Sequence, residues 1–547
     1  MPLRSARLLL WLLVAVAAAL LADNLARPLA NPDEGRYSEI AREMAASGDW
    51  ITPRLNGVKY FEKPPLQYWA GAAAFHAFGA TEVAARLYTS LAALLTVLLV
   101  GYTGRRLEGP DAGLGAVVAL ATSPYFLGMS GVVTLDAGLT LWTTATFCAF
   151  AIAQREERAR GARRAWLLAA WAAMALAVLS KGLVGIVFPA AALVLYCLAR
   201  RDLTPLVRLE WLPGLAVFLA IAAPWFVAVS AANPEFAEFF FVHEHLQRFT
   251  SSVHRRTEPW WYFLPILALG FLPWVLAWPA AIAHGLQADR REGGFRPMLF
   301  ALAYAGFLVA FFSASGSKLP TYVLPAFPPL ALVLGRYLAE APPRRLGAYL
   351  LPLPLAAAAL AVVAWQAPER AREAWSAQLL LQARPWALGG AALLASGGLV
   401  AAVLLRRGRR WAGLAALALA LVAVADVAEE AFEEMSPRQS GLAVARKMNE
   451  RMTPATRLYS VGHYEQTVPF YTGRTLTLVD YRDEFETGLA SEPGLAIPAL
   501  AEFPGQWLRP GEAMAIMQPG TYESFRAQGL PMQLLHEDPR RVLVRKP

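Results

Sequence analysis

Long apolar runs separated by short polar connections fill most of this chain. A bilayer-spanning helix needs about 20 mostly apolar residues. Thirteen candidate spans meet this criterion, at 6–24, 83–103, 112–129, 132–153, 165–180, 183–199, 209–231, 261–284, 296–312, 321–338, 347–365, 385–405 and 410–427. The third contains Ser123-Pro124, which predicts a break within it.

The pattern changes after residue 427, where short apolar runs alternate with polar turns. Four runs predict strands, at Arg457–Val461, Thr475–Val479, Ala513–Met517 and Arg541–Val544. Two segments predict helices, at Gly441–Arg451 and Glu523–Gln528. We therefore predict a polytopic α-helical membrane protein of about 13 transmembrane helices, residues 1–427, with a C-terminal soluble mixed α/β domain, residues 428–547.

Composition and charge support this division. The chain is 56% apolar and 17% charged, against about 45–50% and 25% in soluble proteins. Residues 1–427 carry a net charge of +12 and residues 428–547 a net charge of −3. These values exclude a single soluble enzyme and a disordered chain. The two cysteines, Cys148 and Cys197, lie in apolar segments, so no disulfide is expected.

Arginine predicts the topology, because basic residues accumulate in short cytoplasmic loops. With a cytoplasmic N-terminus, every predicted inner loop is basic, so the positive charge needs no nucleic-acid partner. The first apolar run lacks a clear cleavage site before Asn24 and is expected to remain as a helix. Thirteen spans then place residues 428–547 in the periplasm.

Two outer loops, 27–82 and 232–259, are longer than simple connections. Loops above about 12–15 residues are usually functional or disordered. Both mix aromatic and charged residues, and Asn31-Pro32 predicts the start of a short helix in the first. We expect an ordered site at the outer membrane face.

Lysine is rare, with six in the chain, and the four in the membrane part all fall on the predicted outer side. These four are Lys59, Lys63, Lys181 and Lys318. An ammonium group suits phosphate or carboxylate binding. Snorkelling to lipid headgroups is the alternative for any single lysine, but the Pro, Gly and Ser around Lys63, Lys181 and Lys318 favour binding.

Carboxylates near the outer face are the second signal. Asp33 and Glu34 occupy the first turn of the predicted outer-loop helix, where stabilisation of the helix dipole is the alternative to catalysis. Asp136 stands at the outer end of an otherwise uncharged span, and an ionisable residue at membrane depth is by default functional. Helix capping is the alternative for Asp136.

Histidine and glutamate form a third candidate group. His243, in the run 241–249, and Glu62, beside Lys63, have metal-ligating side chains. The spacing is not that of a zinc peptidase, and interfacial anchoring is the commoner role of such residues. Arg248 adds an outer cation that suits a phosphate.

Together these groups predict an enzyme whose charged substrate arrives on a lipid carrier, because nucleotide sugars are absent outside the cytoplasm. A transporter would instead place charges near the midplane on broken helices. A non-enzymatic lipid-phosphate transporter or flippase is kept as the less favoured alternative.

Several stretches resemble the lipid A aminoarabinose transferases, bacterial members of the C-type glycosyltransferase superfamily related to the protein O-mannosyltransferases. The resemblance runs in order through the membrane part, and a soluble periplasmic tail also fits that family. The stretches that carry it are DEGRY at 33–37, FEKPPLQYW at 61–69, Leu135-Asp136, SKG at 180–182, residues 243–249 and SGSKLPTYVLPAFPP at 315–329.

The resemblance implies transfer of 4-amino-4-deoxy-L-arabinose from undecaprenyl phosphate to lipid A phosphates at the periplasmic face of the inner membrane. Such transfer confers resistance to polymyxin and other cationic antimicrobial peptides. The other alternative is another polyprenyl-phosphate-sugar-dependent transferase that acts on protein or a different glycan. The expected partners are the lipid-linked donor, lipid A and membrane lipids, and we expect a monomer.

The resemblance also implies residue roles. Asp33 matches the superfamily's catalytic carboxylate and Asp136 its partner, with Glu34 beside them. Lys63, Arg248 and Tyr322 match positions around the carrier phosphate, and we add four further residues to this phosphate-binding set. These four are Lys181, Lys318, Arg36 and Tyr60. Glu62 and His243 match a candidate divalent-metal position, although the resemblance does not imply that catalysis needs this metal.

The role of Asp33 stays open at this point. A phosphate acceptor is already anionic near neutral pH, so Asp33 would orient the acceptor or pair with the sugar ammonium. An alcohol acceptor would instead need Asp33 as a general base. Direct displacement with inversion at the sugar carbon is expected for the superfamily.

Overall fold

The computed structural model describes residues 23–155, 160–247, 258–292 and 294–547. Within these ranges nine helices are long and apolar enough to cross a membrane, and up to eleven spans result if each of two bent helix pairs counts as one. The polytopic membrane architecture is thus confirmed. The count of 13 stays a prediction, and most of the first predicted span lies outside the described residues.

Within the described residues, the membrane bundle contains fifteen α-helices of seven or more residues. They are α3 Glu82–Glu108, α4 Pro110–Ala121, α5 Pro124–Ser130, α6 Leu135–Arg155, α7 Arg160–Lys181, α8 Val184–Arg200, α9 Trp211–Ala232, α10 Phe263–Gly270, α11 Trp278–Glu292, α12 Pro297–Ala314, α13 Phe327–Glu340, α14 Pro343–Tyr349, α15 Leu353–Gln366, α16 Ala374–Arg406 and α17 Arg410–Glu433. The helix axis bends by 69° between α4 and α5, so the predicted break at Ser123-Pro124 is confirmed.

Local chemistry explains where these helices begin. The Thr81 hydroxyl accepts the backbone N–H of Ala84 at the start of α3, which ends with Arg105 and Arg106 in its last turn. The hydroxyl plays the standard N-cap role, and the arginines complement the helix dipole. Ser123 caps α5 and also donates to the Gly270 carbonyl at 2.7 Å, which ties the bend to α10.

The first outer loop contains two helices, α1 Asp33–Ser47 and α2 Leu66–Phe78, with a hairpin of strands β1 Arg54–Leu55 and β2 Val58–Lys59 between them. The hairpin turn is Asn56-Gly57, whose φ angles of 53° and 79° suit this residue pair. The predicted helix start at Asn31-Pro32 is confirmed. The hairpin was missed, although Asn-Gly is its usual signal.

The C-terminal domain is a six-stranded mixed sheet with helices, in the order β5-β4-β3-β6-β8-β7. Its elements are α18 Leu442–Arg451, β3 Arg457–Val461, α19 Thr467–Thr472, β4 Thr477–Val479, α20 Glu486–Ser491, β5 Ala496–Ile497, α21 Phe503–Trp507, β6 Ala513–Met517, α22 Pro519–Ala527, β7 Gln533–Glu537 and β8 Val542–Arg545. All four predicted strands are present. Strands β5 and β7 were not predicted, because two residues and a largely exposed edge carry little apolar signal.

This sheet domain is docked directly on the first outer loop. The side chain of Asn56 exchanges two 2.7 Å hydrogen bonds with the backbone of Leu476. A Cβ on Gly35 would lie 2.6 Å from the carbonyl carbon of Gln466, so only glycine permits this approach of α1. We call the side of the bundle that carries the sheet domain the domain face. The functional candidates lie beneath it.

Candidate active site

A small polar cavity lies between the helix bundle and the sheet domain. Its volume is about 90 Å³, and five carboxylates and three cations line it together with aromatic and neutral side chains. We call it the polar cavity. Its charged residues are Asp33, Glu62, Asp136, Asp483 and Glu484, and Arg36, Lys63 and Lys181.

Asp33 enters the cavity from the first turn of α1. Its carboxylate contacts Arg36 one helical turn later at 3.3 Å and remains 40% exposed. Arg36 also donates to Glu484 of the sheet domain at 2.9 Å. Burial raises the pKa of Glu484 despite this arginine. The sheet domain thus forms part of the cavity wall, and Asp33 keeps a carboxylate available to a ligand.

Asp136 and Lys181 form a short ion pair inside the bundle. Asp136 lies in the first turn of α6 and Lys181 at the end of α7, with 2.5 Å between Oδ1 and Nζ. The Lys181 ammonium also lies 4.5 Å from the ring centroid of Tyr322. Both charged groups are largely buried, and a buried cation between a carboxylate and an aromatic face is held in one position.

Lys63 occupies the opposite side of the same opening. Its ammonium donates to the Glu244 carboxylate and to the backbone carbonyl of Glu62, both at 2.8 Å. Glu244 belongs to the π-helical segment Phe239–Gln247 of the second outer loop. This loop thus reaches the cavity through a carboxylate, which fixes the lysine side chain.

An apolar groove adjoins the polar cavity. Its volume is about 250 Å³, and apolar residues of α8 and α12, such as Val184, Val187 and Phe312, form its wall. Three residues line both spaces: Lys63, Lys181 and Tyr322. Two ammonium groups and a phenol therefore lie at the junction between the apolar groove and the polar cavity.

Glu34 does not line the polar cavity, unlike its neighbour Asp33. Arg86 donates to both of its carboxylate oxygens, at 2.9 and 2.8 Å, and Arg27 donates at 2.9 Å. Burial alone would raise the pKa of Glu34, but the two guanidinium groups outweigh it and lower the pKa to about 2. The carboxylate is thus saturated by structural partners, which argues against a direct catalytic role.

Two further predicted residues also lie outside the cavity lining. Lys318 is buried and its ammonium donates to the Ser315 carbonyl at 2.7 Å, within its own loop. Tyr60 is 1% exposed, and burial raises its pKa well above the ordinary value. Neither residue lines the polar cavity, so the predicted phosphate contacts of Lys318 and Tyr60 stay predictions.

Arg248 lies outside the described residues, so its predicted phosphate contact stays a prediction. His243 is exposed, and its ring stacks on Phe239 with centroids 5.2 Å apart. Across the described part of the chain, no group of three or more His, Cys, Asp or Glu side chains is arranged to hold a metal ion. The predicted metal position at Glu62 and His243 gains no support from this geometry.

Sequence reasoning missed the partners of the predicted residues. Glu244 was inside the run 241–249, and its opposite charge was a usable signal. Arg86 was a lone charge beside an apolar span, which predicts a buried partner. Asp483 and Glu484 lie in a domain without a recognisable motif, so nothing local linked them to the cavity.

Two family models match the chain. The Dolichyl-phosphate-mannose-protein mannosyltransferase model matches residues 5–240, and the Aminoarabinose transferase C-terminal domain model matches residues 444–546. A curated relative from Edwardsiella ictaluri, an undecaprenyl phosphate-alpha-4-amino-4-deoxy-L-arabinose arabinosyl transferase, is 37% identical over 312 residues, 57% of this chain. The matched part of this chain spans 56% of that relative's length.

Solved structures extend the similarity to the whole chain. The crystal structure of ArnT from Cupriavidus metallidurans bound to undecaprenyl phosphate has a TM-score of 0.93 and 36% identity, and covers 98% of this chain and 97% of its own. Its apo state gives a TM-score of 0.91. The archaeal oligosaccharyltransferase AglB from Archaeoglobus fulgidus, 12% identical with a TM-score of 0.53 over 94% of this chain and 69% of its own, shares the fold alone.

Proposed function

Because this chain belongs to the ArnT-type aminoarabinose transferases of the C-type glycosyltransferases, we propose that it moves 4-amino-4-deoxy-L-arabinose from undecaprenyl phosphate to lipid A phosphates. The observation that carries the proposal is the junction of Lys63, Lys181 and Tyr322 between the apolar groove and the polar cavity. A lipid-linked sugar has the same three parts: an apolar chain, a phosphate and a polar head.

The carrier phosphate lies at the junction in this proposal. The prenyl chain occupies the groove along α8 and α12, and the sugar enters the polar cavity. Lys63 and Lys181 supply two charge-assisted hydrogen bonds to the phosphate, and Arg248 is proposed as a third cation. Glu244 and Asp136 hold the two lysines in place before the donor arrives.

Transfer breaks the bond between the sugar anomeric carbon and the carrier phosphate oxygen. An oxygen of the acceptor phosphate attacks the same carbon from the opposite side, and the bonding electrons leave with undecaprenyl phosphate. Fixed ammonium groups stabilise the negative charge that develops on this leaving phosphate. The acceptor phosphate is already anionic, so no general base is required, and Asp33 instead orients the acceptor or the sugar.

The charge of the polar cavity suits an amino sugar. Five carboxylates face three cations there, so the cavity has an excess of negative charge for an ammonium group. Glu484 and Asp483 of the sheet domain contribute to this excess. Transfer of this sugar makes lipid A less anionic, which weakens the binding of polymyxin and other cationic peptides.

The same proposal includes the topology. Residues 1–427 contain about 13 transmembrane helices, residues 428–547 form a periplasmic domain, and the protein acts as a monomer in the inner membrane. The basic inner loops and the sheet domain docked over the cavity support this arrangement.

A reporter fused after Pro547 tests that topology. We expect alkaline phosphatase activity from the fusion and no fluorescence from a cytoplasm-specific reporter, because an odd number of spans follows a cytoplasmic N-terminus. Fluorescence without phosphatase activity would place the sheet domain in the cytoplasm and contradict the arrangement.

Replacement of Lys63 by Ala tests the junction. We expect KM for the lipid donor to rise about tenfold, since one charge-assisted hydrogen bond to the phosphate is lost. Lys59→Ala is the matched control, because Lys59 makes an equivalent 2.8 Å ion pair with Glu235 and does not line either space. Unchanged donor kinetics in Lys63→Ala, with normal expression, would remove this lysine from the site.

Mass spectrometry of lipid A tests the function itself. Cells that lack their own transferase should gain one aminopentose per modified phosphate when they express this chain. Unmodified lipid A together with altered glycoprotein would favour transfer to another acceptor.

A further inference from the structure

A third space, separate from the polar cavity and the apolar groove, lies at the domain face. Its volume is about 260 Å³, and it lies between α5 and α17. Gly128 and Val132 line one side, and Ala425 and Phe432 the other. Phe432 is 38% exposed, so the cavity reaches the surface of the bundle. We call this space the α5–α17 cavity.

The α5–α17 cavity is separated from the polar cavity by the Glu34 network. Arg27 lines the α5–α17 cavity and donates to Glu34, which also accepts the backbone N–H of Val133 at 3.1 Å. The two cavities have no lining residue in common among those described. Whatever occupies the α5–α17 cavity therefore does not need to take part in the proposed transfer.

The apolar part of the α5–α17 cavity has room for a hydrocarbon chain. A Cβ built on Gly128 finds no atom within 4 Å, and the residues of α17 that face the cavity are mainly apolar. A lipid acyl chain would gain dispersion contacts with these side chains, and the cavity lies between two helices of the bundle.

The polar end of the α5–α17 cavity carries both signs of charge. Arg27 lies 5.1 Å from the ring centroid of Phe432, and its Nε is 4.0 Å from Glu429 Oε2. That Glu429 oxygen is buried, and within the described ranges no hydrogen-bond donor contacts it. A buried acceptor without a donor is costly. A ligand that donates a hydrogen bond would remove this cost.

The charge around Glu429 selects the kind of lipid. Four more carboxylates lie on or next to the same end of α17, at Asp426, Glu430, Glu433 and Glu434. They repel a lipid whose head group is purely anionic and attract one that carries an ammonium group. An ammonium group beside Glu429, on a zwitterionic head group that these carboxylates repel less than an anionic one, matches an aminophospholipid.

We propose that the α5–α17 cavity binds one aminophospholipid, with its acyl chain against Gly128 and Ala425 and its ammonium group donating to Glu429. The site is distinct from the junction that holds the carrier lipid. Its occupant comes from the surrounding leaflet and stabilises the helices that support α1.

Photocrosslinking in nanodiscs tests the proposal without an activity assay. The full-length protein carries p-benzoylphenylalanine in place of Ala425, in equal parts of phosphatidylethanolamine and phosphatidylglycerol with identical acyl chains. We expect about a tenfold excess of phosphatidylethanolamine adducts, as expected for one charge-assisted hydrogen bond. The same probe at Leu419, which is 53% exposed on the bundle surface, should give equal amounts of phosphatidylethanolamine and phosphatidylglycerol adducts.

Two substitutions complete the test. Glu429→Gln keeps the shape and should reduce the excess at position 425 to below twofold. Gly128→Leu should reduce total lipid adducts at position 425 severalfold. Gly306→Leu is the control and should not reduce them, because Gly306 has similar open space around it but lies on α12, outside the α5–α17 cavity. Equal adducts of both lipids at 425, or adducts only with the protein's own residues 1–22, would overturn the proposal.

Discussion

Asp33→Asn is expected to reduce the rate of sugar transfer about 100-fold or more without loss of folded protein. The carboxylate is 40% exposed in the polar cavity, and within the described residues Arg36 is its ion-pair partner. Removal of a charge that organises the reacting groups typically costs 100-fold or more. The variant keeps the shape of the side chain, so the loss reports on the charge.

A second aspartate provides a matched control for helix-dipole effects. Asp111 follows Pro110 in the first turn of α4, just as Asp33 follows Pro32 at the start of α1. Dipole stabilisation is worth about 0.3–1 kcal/mol in either place. Asp111→Asn should retain full polymyxin resistance in a complemented strain. Full resistance from normally expressed Asp33→Asn would reduce Asp33 to the same structural role.

Glu34→Gln, in contrast to Asp33→Asn, is expected to lower stability. The free energy of unfolding should fall by about 3–5 kcal/mol. The substitution leaves Arg86, which is fully buried, without its counter-charge. All the Arg86 nitrogens donate hydrogen bonds, to Glu34 and to the carbonyls of residues 25, 27 and 28. Chemical denaturation of the purified protein in detergent micelles measures the change.

Glu43→Gln, on the same helix, is the control for Glu34→Gln. Burial and the neighbouring Glu39 raise the pKa of Glu43 to about 8, so this carboxyl is protonated at pH 7 and its amide should be nearly neutral for stability. Glu34, by contrast, is ionised at pH 7, because its pKa is lowered to about 2.

The contribution of the Glu34 ion pair to the free energy of unfolding is complete above about pH 4.5 and is lost as the pH falls through 2. A Glu34→Gln deficit that persisted unchanged at pH 2 would contradict the ion-pair explanation.

The sequence singled out individual charged residues but not their contacts. Asp33, Asp136, Lys63 and Lys181 were chosen as candidates because a charged residue beside an apolar span suggests a functional role, and all four line the polar cavity. Their arrangement was not predictable, since the contacts join residues far apart in the chain, such as Lys63 and Glu244. The adjacent residues Asp33 and Glu34 look equivalent in the sequence. The difference between them depends on Arg86, 52 residues after Glu34. Arg86 binds Glu34 in a buried ion pair, whereas Asp33 lines the polar cavity.

The fold shows the same contrast between elements that the sequence predicts and contacts that it does not. Apolar periodicity located the spanning helices and the central strands β3 and β6, where burial dominates the choice of residue. It did not reveal that the sheet domain docks on the first outer loop through Asn56 and contributes Glu484 to the cavity wall. Polar contacts between domains leave no period in either segment. This part of the site therefore required the structure.

The most direct test of the account is transfer by the purified, full-length protein in proteoliposomes. The donor is undecaprenyl phosphate that carries isotopically labelled aminoarabinose, and the acceptor is lipid A, with product followed by mass spectrometry. The account predicts labelled aminopentose on lipid A phosphates with the wild-type protein and the Asp111→Asn control, and about 100-fold less with Asp33→Asn. Equal transfer by wild type and Asp33→Asn, or no transfer by wild type from this donor, would contradict it.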